Sequence, residues 1–285
     1  MKKRWSTILL ILVLLAGASL LLYPTLSEVW NRHHQSRAIV SYAALVSELE
    51  NEEYTAILKA AHRYNDGIEP GTLNIPDEMQ LQEYRAQLDP TGSGVMGYID
   101  IPSIQCSLPL YHGTSESILT AAVGHIEWSS LPVGGESTHC VISGHRGLPS
   151  AKLFTRLDEL REGDIFMIHV LDETLTYEVD QIRIVLPEDV DALMVTKGED
   201  LCTLVTCTPY GINTHRLLVR GHRVENREEK AAVHVTADAV VVRPIIVFPF
   251  AAVPLLVLLL IGLAVSDRRK KHTPTPARRK EEADL

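Results

Sequence analysis

Two uncharged apolar runs near the ends of the chain constrain its fold more than any other feature. The first covers residues 7–23 and follows three basic side chains within the first four positions. The second covers residues 245–265 and is followed by two basic clusters. A run of 21 apolar residues is long enough to cross a hydrocarbon layer of about 30 Å, and 17 is near the lower limit. The sequence therefore predicts two membrane spans with a domain between them.

The basic flanks predict the orientation of these spans. Lys and Arg concentrate on the cytoplasmic side of membranes, so residues 1–6 and the tail 266–285 are both expected inside the cell. The domain between the spans is then extracellular. The first run also fits a signal-peptide core with a small-residue site at 16–18. Its apolar residues continue to Leu22, however, which favours an uncleaved membrane anchor.

The charge of the extracellular part limits its ligands. It holds 17 basic and 32 acidic residues, a net charge near −15, whereas the whole chain carries −9. A strongly acidic surface argues against nucleic acid or anionic lipid as a partner. It is compatible with a protein substrate that contributes a lysine.

Cysteine and histidine spacing predicts neither a metal site nor a cofactor. No cysteine pair has a C-x-x-C spacing, and the 12 histidines are scattered along the chain. Cys202 and Cys207 are five positions apart in one predicted strand and therefore face opposite sides of the sheet. Cys106 and Cys140 are expected to be small core residues. We expect no disulfide.

The region between the spans begins with helix and ends with strands. Residues 28–64 carry apolar side chains at three- and four-residue steps, which predicts an amphipathic helix. A polar, turn-rich segment follows at 65–94. Eight short strand-like runs then alternate with turn signals, which is typical of an all-β barrel. They lie at 95–101, 106–111, 119–124, 139–143, 164–170, 175–185, 201–207 and 216–224.

Further elements of this barrel region follow from local patterns. A leucine stripe predicts a helix over 151–160 with Ser150 as its N-cap. The barrel domain is placed at 91–227, after a helical and loop segment at 24–90. Residues 228–244 are interpreted as a tether to the second span.

One predicted hairpin places a thiol opposite a guanidinium. The run Leu201 to Cys207 has the branched, apolar character of a buried strand, and a turn with Pro209 and Gly211 precedes a second strand from Arg216. If the strands pair antiparallel across that turn, Cys207 lies directly opposite Arg216. Such neighbours share a face of the sheet, with β-carbons roughly 5 Å apart. A lone cysteine is most often an inert core residue, so this pairing needs support from elsewhere.

That support is a histidine at the end of another predicted strand. The run Cys140 to Gly147 is a short apolar strand that stops at His145, with glycines close on both sides. Glycine there permits a sharp turn of the backbone and leaves room around the imidazole. The chain thus offers a base, a thiol and a fixed positive charge at three strand ends.

These residues resemble those of the sortases, the membrane-anchored cysteine transpeptidases of Gram-positive bacteria. The motifs concerned are Ser-Gly-His-Arg-Gly (143–147), Thr-Leu-Val-Thr-Cys (203–207) and the arginine strand that follows. Longer runs resemble class C, the pilin-polymerising class, and the resemblance covers about residues 90–227. They are Ser-Leu-Pro-Val-Gly-Gly (130–135), Leu-Pro-Ser-Ala-Lys-Leu-Phe (148–154) and Thr-Cys-Thr-Pro-Tyr-Gly-Ile-Asn-Thr-His-Arg (206–216).

The resemblance implies a closed eight-stranded sortase β-barrel with N-terminal helices. It also implies a specific transpeptidation reaction. An LPXTG-like sorting signal would be cut between Thr and Gly to give a thioacyl enzyme. The acyl group would pass to a lysine amine of a pilin subunit or, in wall anchoring, to an amine of the peptidoglycan precursor. Cys207 would be the nucleophile, His145 the general base and acid. Arg216 would donate to the oxyanion or the substrate carbonyl.

Four further residues are candidates for substrate binding, because they lie in the matching motifs. They are His125, Thr206, Tyr210 and His215. For the two histidines, a structural hydrogen bond is the competing interpretation. Class C sortases commonly carry an Asp-Pro-aromatic lid in the region corresponding to 65–94, and that triplet is absent here. Either the lid is missing or a different loop around 73–79 covers the cleft.

Three alternatives to a pilin polymerase are open. One is a sortase that anchors surface proteins to peptidoglycan. Another, from a different class, is a non-catalytic membrane-tethered binding module that keeps the barrel without the chemistry. A papain-like protease fits less well, since there the cysteine precedes its histidine, whereas here Cys207 follows His145 by 62 residues.

Overall fold

Eight strands close into a barrel in the computed structural model, which describes residues 2–226. Their bounds are β1 Val95–Ile101, β2 Cys106–His112, β3 Val123–His125, β4 Thr138–Ser143, β5 Ile165–Val170, β6 Glu173–Val185, β7 Asp200–Thr208 and β8 His215–Val224. Around the barrel they follow the order β1-β2-β3-β4-β7-β8-β6-β5. The all-β barrel predicted from the strand spacing is confirmed, and so is the closed eight-stranded form that the family resemblance implies.

Two of the strand pairs are parallel, and one of these matters for the site. β2 pairs with β3 and β4 with β7 in parallel, while the remaining pairs are antiparallel. Parallel neighbours require a long crossover connection. Between β4 and β7 the chain passes through β5 and β6, so strands distant in sequence end side by side.

The two faces of the barrel wall bury different clusters. The inner face of β4, β7 and β8 contributes Cys140, Ile142, Cys202, Leu204, Leu217 and Val219 to the main core. The outer face carries a smaller group, here called the outer cluster, made of Val141, Leu193, Val205 and Leu218. Because side chains alternate along a strand, Cys207 shares the outer face with Val205.

Helices precede the barrel. Before β1, α1 covers Lys2–Glu48, α2 Asn51–Asp66 and α3 Glu78–Arg85, whereas a short α4 covers Glu116–Leu119 between β2 and β3. The single helix predicted over 28–64 is therefore wrong in one respect, because Glu50 is extended (ψ 147°) and separates α1 from α2. α3 begins with a capping box between Asp77 and Gln80.

The structure gives partial support to the predicted membrane topology. Among residues 2–226, one helix is long and apolar enough to cross a membrane, over Ile11–Glu48. A membrane anchor and a signal sequence both fit this observation. The second predicted span at 245–265, the tether and the basic tail lie outside the described residues.

Two local predictions are wrong. The helix expected over 151–160 is instead an irregular segment with one 3₁₀ turn at Leu157–Glu159. Leu153 adopts a positive φ of 34°, which is incompatible with a continuous right-handed helix. The strand expected over 119–124 is displaced: α4 and a turn occupy its first positions, and β3 begins only at Val123.

Candidate functional site

The β7–β8 pair places the thiol and the guanidinium opposite each other. The two strands are antiparallel, and Cys207 pairs in register with Arg216. Cys207 is a free, half-buried thiol on the outer face, whereas Cys202, five positions earlier, is fully buried in the inner core. Directly opposed residues have β-carbons about 4.5–5.5 Å apart. The hairpin predicted from the sequence is thus present with the predicted register.

The parallel β4–β7 pair brings the histidine to the same end of the sheet. Ser143 is in register with Val205, and the Gly144 N–H continues the ladder by donating to the Val205 carbonyl over 3.0 Å. His145 and Cys207 each lie two residues beyond this last register pair, so both are at the same end of the sheet. The His145 side chain is 28% exposed, which leaves it accessible from solvent.

One carboxylate lies near the imidazole. Nε2 of His145 is 3.6 Å from Oε2 of Glu116, at the start of α4. The Glu116 side chain is 83% exposed, so water screens this contact strongly. We assign it no more than a weak electrostatic contribution.

Glycines at both sides of His145 are required by close packing. A β-carbon at Gly144 would lie 2.6 Å from the ring of Phe154, and one at Gly147 would lie 2.9 Å from the ring of Tyr210. Gly147 also has a φ of +78°, in the region that favours glycine. The glycines therefore let other residues approach this loop, in addition to shaping the backbone around the imidazole.

The arginine is anchored to the turn that joins β7 and β8. This β7–β8 turn comprises residues 209–214, and its Thr208–Pro209 bond is cis. Arg216 Nη1 donates to the carbonyl oxygens of Asn213 (3.3 Å) and His215 (3.1 Å). A guanidinium carries five N–H donors, so others remain to bind an oxyanion. A thiol, an imidazole and a guanidinium thus share one end of the sheet.

The outer cluster continues from this end along the barrel wall. Val141, Val205 and Leu218 are all at least 94% buried, under Leu193 of the β6–β7 connection and with Trp128 packed beside them. Val205 is two residues before Cys207 on the same face. The buried outer cluster therefore extends to within two residues of the thiol along β7.

Two candidate substrate residues, His125 and Thr206, are buried. His125 is fully buried on the inner side: one ring nitrogen contacts the Tyr84 hydroxyl (2.9 Å), and the other contacts the Ser130 carbonyl (2.8 Å). Thr206 is also buried, and its hydroxyl donates to the Gly144 carbonyl over 2.8 Å. Their positions argue against the substrate contacts expected from the motifs, and Thr206 instead ties β7 to the residue before His145.

The other two candidates remain accessible. Tyr210 lies in the β7–β8 turn and is 60% exposed. His215 is half-buried at the start of β8, and its Nδ1 contacts the Thr214 hydroxyl at 2.9 Å. Both flank the thiol–guanidinium pair, so both can meet a ligand there. A substrate role for either stays a prediction.

The segment expected to cover the cleft presents its apolar side chains to solvent. The Gly71 N–H donates to the carbonyl of Val195, which attaches this segment to the β6–β7 connection. Beyond that contact, Leu73, Ile75 and Met79 are 38%, 71% and 75% exposed. No Asp-Pro-aromatic triplet is present in it.

The remaining cysteines lie away from the outer face. Cys140 and Cys202 are neighbours in register inside the barrel, and burial raises the pKa of the Cys202 thiol well above its usual value. Burial likewise raises the pKa of Cys106 to about 12. All four cysteines are free thiols. Within residues 2–226, no group of three or more His, Cys, Asp or Glu side chains is arranged to hold a metal ion.

Comparison with known proteins identifies the family. Residues 99–224 match the model of the sortase domain. The chain is 30% identical to sortase D of Bacillus subtilis over 157 residues, which cover 54% of this chain and 75% of the relative. It is 32% identical to sortase A of Staphylococcus aureus over 157 residues, covering 53% and 74% respectively.

Solved structures are more similar still. Sortase C1 of Streptococcus agalactiae is 50% identical, with a TM-score of 0.65, and the match covers 67% of this chain and 99% of that one. Sortase C of Clostridium perfringens, solved with the C-terminal cell wall sorting motif, is 42% identical with a TM-score of 0.58, covering 67% and 100%. The chain belongs to the sortase family of cysteine transpeptidases, and these similarities place it with class C.

Proposed function

We propose that this sortase cleaves an LPXTG-like signal between Thr and Gly and transfers the acyl group to a lysine amine of a pilin subunit. Cys207 is the nucleophile, His145 the proton carrier and Arg216 the oxyanion donor. The observation that carries the proposal is the strand register. Antiparallel pairing sets Cys207 opposite Arg216, and the parallel β4–β7 ladder, whose last pair is Ser143 and Val205, brings His145 to the same end of the sheet as Cys207.

The first half-reaction forms the thioacyl enzyme. The Cys207 sulfur, as the thiolate, attacks the threonine carbonyl carbon, and a C–S bond forms. The Thr–Gly C–N bond then breaks, and the leaving amine takes a proton from His145. Arg216 N–H groups stabilise the oxyanion of the tetrahedral intermediate. The glycine-containing fragment departs as a free amine.

The second half-reaction reverses these roles. A lysine amine attacks the thioester carbon while His145 accepts a proton from it. The C–S bond breaks, the thiolate is regenerated, and an isopeptide bond joins donor and acceptor. No oxidant, reductant or cofactor enters this sequence, because every bond formed is matched by one broken.

The surroundings of the site suit such a peptide. Trp128 and Val185 are half-buried against the outer cluster, and Val185 is in register with Arg216, so they offer apolar surface that suits the Leu and Pro of the signal. A solved relative from Streptococcus pneumoniae, 42% identical, is described in terms of pilin substrate specificity. The apolar N-terminal helix supports attachment to the membrane from which surface proteins are assembled. In the alternative, wall anchoring, the acceptor is an amine of the peptidoglycan precursor.

The test uses the full chain in lipid nanodiscs with LPXTG peptides in which X is varied. Cleavage is followed with a fluorophore–quencher pair, and products are identified by mass spectrometry. Two acceptors compete in the same reaction, a pilin-derived peptide with one lysine and triglycine. We expect Thr–Gly cleavage and an isopeptide with the lysine. Cys207→Ala is the control and should form neither product.

Each other outcome has a clear meaning. Transfer to triglycine alone would favour wall anchoring over pilin polymerisation. Peptide binding without cleavage by the parent chain would contradict the enzyme and favour a binding module. Equal cleavage by the parent and Cys207→Ala would exclude Cys207 as the nucleophile.

A further inference from the structure

Arg146 is a buried cation that the reaction described above does not use. It follows His145 directly, and its side chain is only 9% exposed. Its Nη2 forms an ion pair with the carboxylate of Asp158, in the segment after the His145 loop (residues 144–156). Long charged side chains are rarely buried this deeply unless they are paired. Asp158 supplies that partner for Nη2, and the remaining contacts of the guanidinium lie elsewhere.

The same guanidinium also reaches the other side of the site. Nη1 lies 3.4 Å from the hydroxyl of Thr208, the residue after Cys207. The guanidinium carbon is 5.9 Å from the centroid of the Tyr210 ring, within range of a cation–π contact. Arg146 thus joins the residue after the proposed nucleophile, the β7–β8 turn and the His145 loop through one rigid group.

The turn is packed against the loop at a second point as well. The Tyr210 ring packs directly against Gly147, because a β-carbon on Gly147 would lie 2.9 Å from the ring. Gly147 is itself fixed, because its N–H donates to the Thr155 hydroxyl over 3.1 Å. Tyr210 is therefore held between Gly147 and the Arg146 guanidinium, although much of its ring faces solvent.

Stability alone does not explain why an arginine occupies position 146. The Nε of Arg146 is buried and has no hydrogen-bond partner among residues 2–226. Leaving a buried donor unpaired is unfavourable, and such groups are rare in native structures. An apolar side chain would fill this space without that penalty, so the charge and the planar fork of arginine have another use.

We propose that Arg146 is a positioning residue, which holds the β7–β8 turn against the His145 loop and so sets the distance between the imidazole and the thiol. The inference rests on the roles proposed above for His145 and Cys207. Proton transfer and attack need atoms placed within a fraction of an ångström, and a misplacement of about 1 Å can lower a rate roughly 10²-fold. Arg146 acts through its neighbours and touches no reacting atom.

The chain offers a matched control close by. Arg156 pairs with Glu159 on the neighbouring 3₁₀ turn, with side chains 34% and 51% exposed. It also donates to the Ile104 carbonyl over 2.9 Å. Arg156→Ala therefore removes an arginine, an ion pair and a hydrogen bond from the same region, but none of its contacts reaches the β7–β8 turn.

The experiment compares the parent with Arg146→Ala, Arg146→Lys and Arg156→Ala, all as full chains in nanodiscs. Hydrogen exchange is measured at the amides of 210–215, where Ile212 and Asn213 donate to the Pro209 carbonyl. Peptide cleavage gives kcat and KM. For Arg146→Ala we expect exchange of the turn to rise about tenfold and kcat to fall roughly 10²-fold. KM should change less than about threefold, because the substitution leaves Trp128 and Val185, the apolar side chains proposed to meet the peptide, unchanged.

The conservative variant separates positioning from simple loss of packing. Lysine keeps the charge but lacks the planar fork, so Arg146→Lys should recover part of kcat and of the protection of the turn. Arg156→Ala should change neither. Unchanged exchange in Arg146→Ala would overturn the proposal, and so would increased exchange with an unchanged kcat. A parent chain that cleaves no peptide would overturn the proposed function instead, and exchange alone would then decide whether Arg146 holds the turn.

Discussion

Arg216 is the residue whose removal should separate binding from chemistry. Its Nη1 donates to the carbonyls of Asn213 in the turn and of His215 at the start of β8, which orient the guanidinium opposite Cys207. Loss of one oxyanion donor typically lowers kcat by about 10²–10³. We therefore expect Arg216→Ala to lower kcat for LPXTG peptide cleavage by that factor, with a smaller effect on KM. Arg216→Lys should be intermediate, since it keeps a charge but not the fork.

Arg183 supplies the control for this comparison. It is exposed on β6, in register with Leu218, and therefore faces the same side of the sheet as Arg216. Arg183→Ala removes an equal charge from that face without touching the thiol. A similar fall in kcat for both variants would show that the loss of positive charge, and not the loss of a hydrogen-bond donor at position 216, lowers the rate.

His139 lies on the same outer face and should make the stability of the domain depend on pH. Its ring is almost fully buried between the Met194 carbonyl (3.0 Å) and the Thr203 hydroxyl (2.7 Å). Burial lowers its pKa from 6.5 to about 4, with Arg220 contributing in the same direction. Between these values the unfolded chain binds more protons than the folded one, so stability falls as pH falls.

The size of the effect can be measured with one substitution. From pH 7 to pH 5 we expect His139 to reduce the free energy of unfolding by about 2 kcal/mol. His139→Gln cannot titrate, so its thermal midpoint should fall less over this range than that of the parent. His33→Gln, at an exposed site on α1, should behave as the parent does. Equal slopes for all three proteins would contradict the assignment.

At the scale of elements, α1 holds the loop that carries the histidine. Asn31 donates to the Ser150 carbonyl over 2.9 Å, and Glu28 forms an ion pair with Lys152. Gln35 donates to the Ala121 carbonyl over 2.7 Å, just beyond α4. The helix that follows the predicted first span therefore supports both neighbours of the imidazole, the His145 loop and α4.

Removing one of these contacts should lower the kcat of peptide cleavage. A hydrogen bond contributes about 1 kcal/mol to stability. If its loss raises the activation free energy of cleavage by that amount, Asn31→Ala lowers kcat roughly fivefold. His33→Ala is the control, since His33 lies on the exposed side of the same helix. Peptide cleavage by the full chain measures both. No difference between the two variants would mean that α1 supports the barrel without affecting the loop.

Elements also show where sequence reasoning succeeds. The Cys207–Arg216 pairing was predictable, because a short turn between two strands fixes an antiparallel register. The proximity of His145 to Cys207 depends on a parallel ladder between strands about 60 residues apart, and without the family resemblance nothing local in the sequence specifies it. The helix predicted over 151–160 failed because its leucines are buried, at 5%, 0% and 4% exposure, by an irregular backbone that happens to share helical spacing.

The same limit explains why the sequence did not show that His125 is buried or that Arg146 contacts Thr208. His125 stands at a strand end among small residues, as His145 does, yet pairing with Ile142 puts it on the inner face. A shift of one residue along a strand moves a side chain from one face of the sheet to the other, and so from the core to the cleft. Arg146 gave no sequence signal beyond being next to His145, since its partners Asp158 and Thr208 are 12 and 62 positions away.

At the scale of the whole molecule, the location of the chain ends is the prediction that matters most for function. An acceptor lysine on a secreted pilin is reachable only if the barrel is outside the cell. The basic residues after 265 predict that the tail is inside. Thr273→Cys in that tail and Glu136→Cys on the barrel surface, each combined with Cys207→Ala, provide the two reporters. Both are treated with a membrane-impermeant maleimide on intact protoplasts.

We expect the maleimide to label Glu136→Cys on intact cells and Thr273→Cys only after the membrane is permeabilised. The three native cysteines that remain contribute little background, because Cys140 and Cys202 are buried and Cys106 is only partly accessible. Labelling of Thr273→Cys on intact cells would place the tail outside and contradict the second span. Loss of Glu136→Cys labelling would place the barrel inside, where no sorting signal arrives. Either result would contradict the proposed role in assembly without contradicting the proposed chemistry. Cys207 would then meet a different set of acceptor amines.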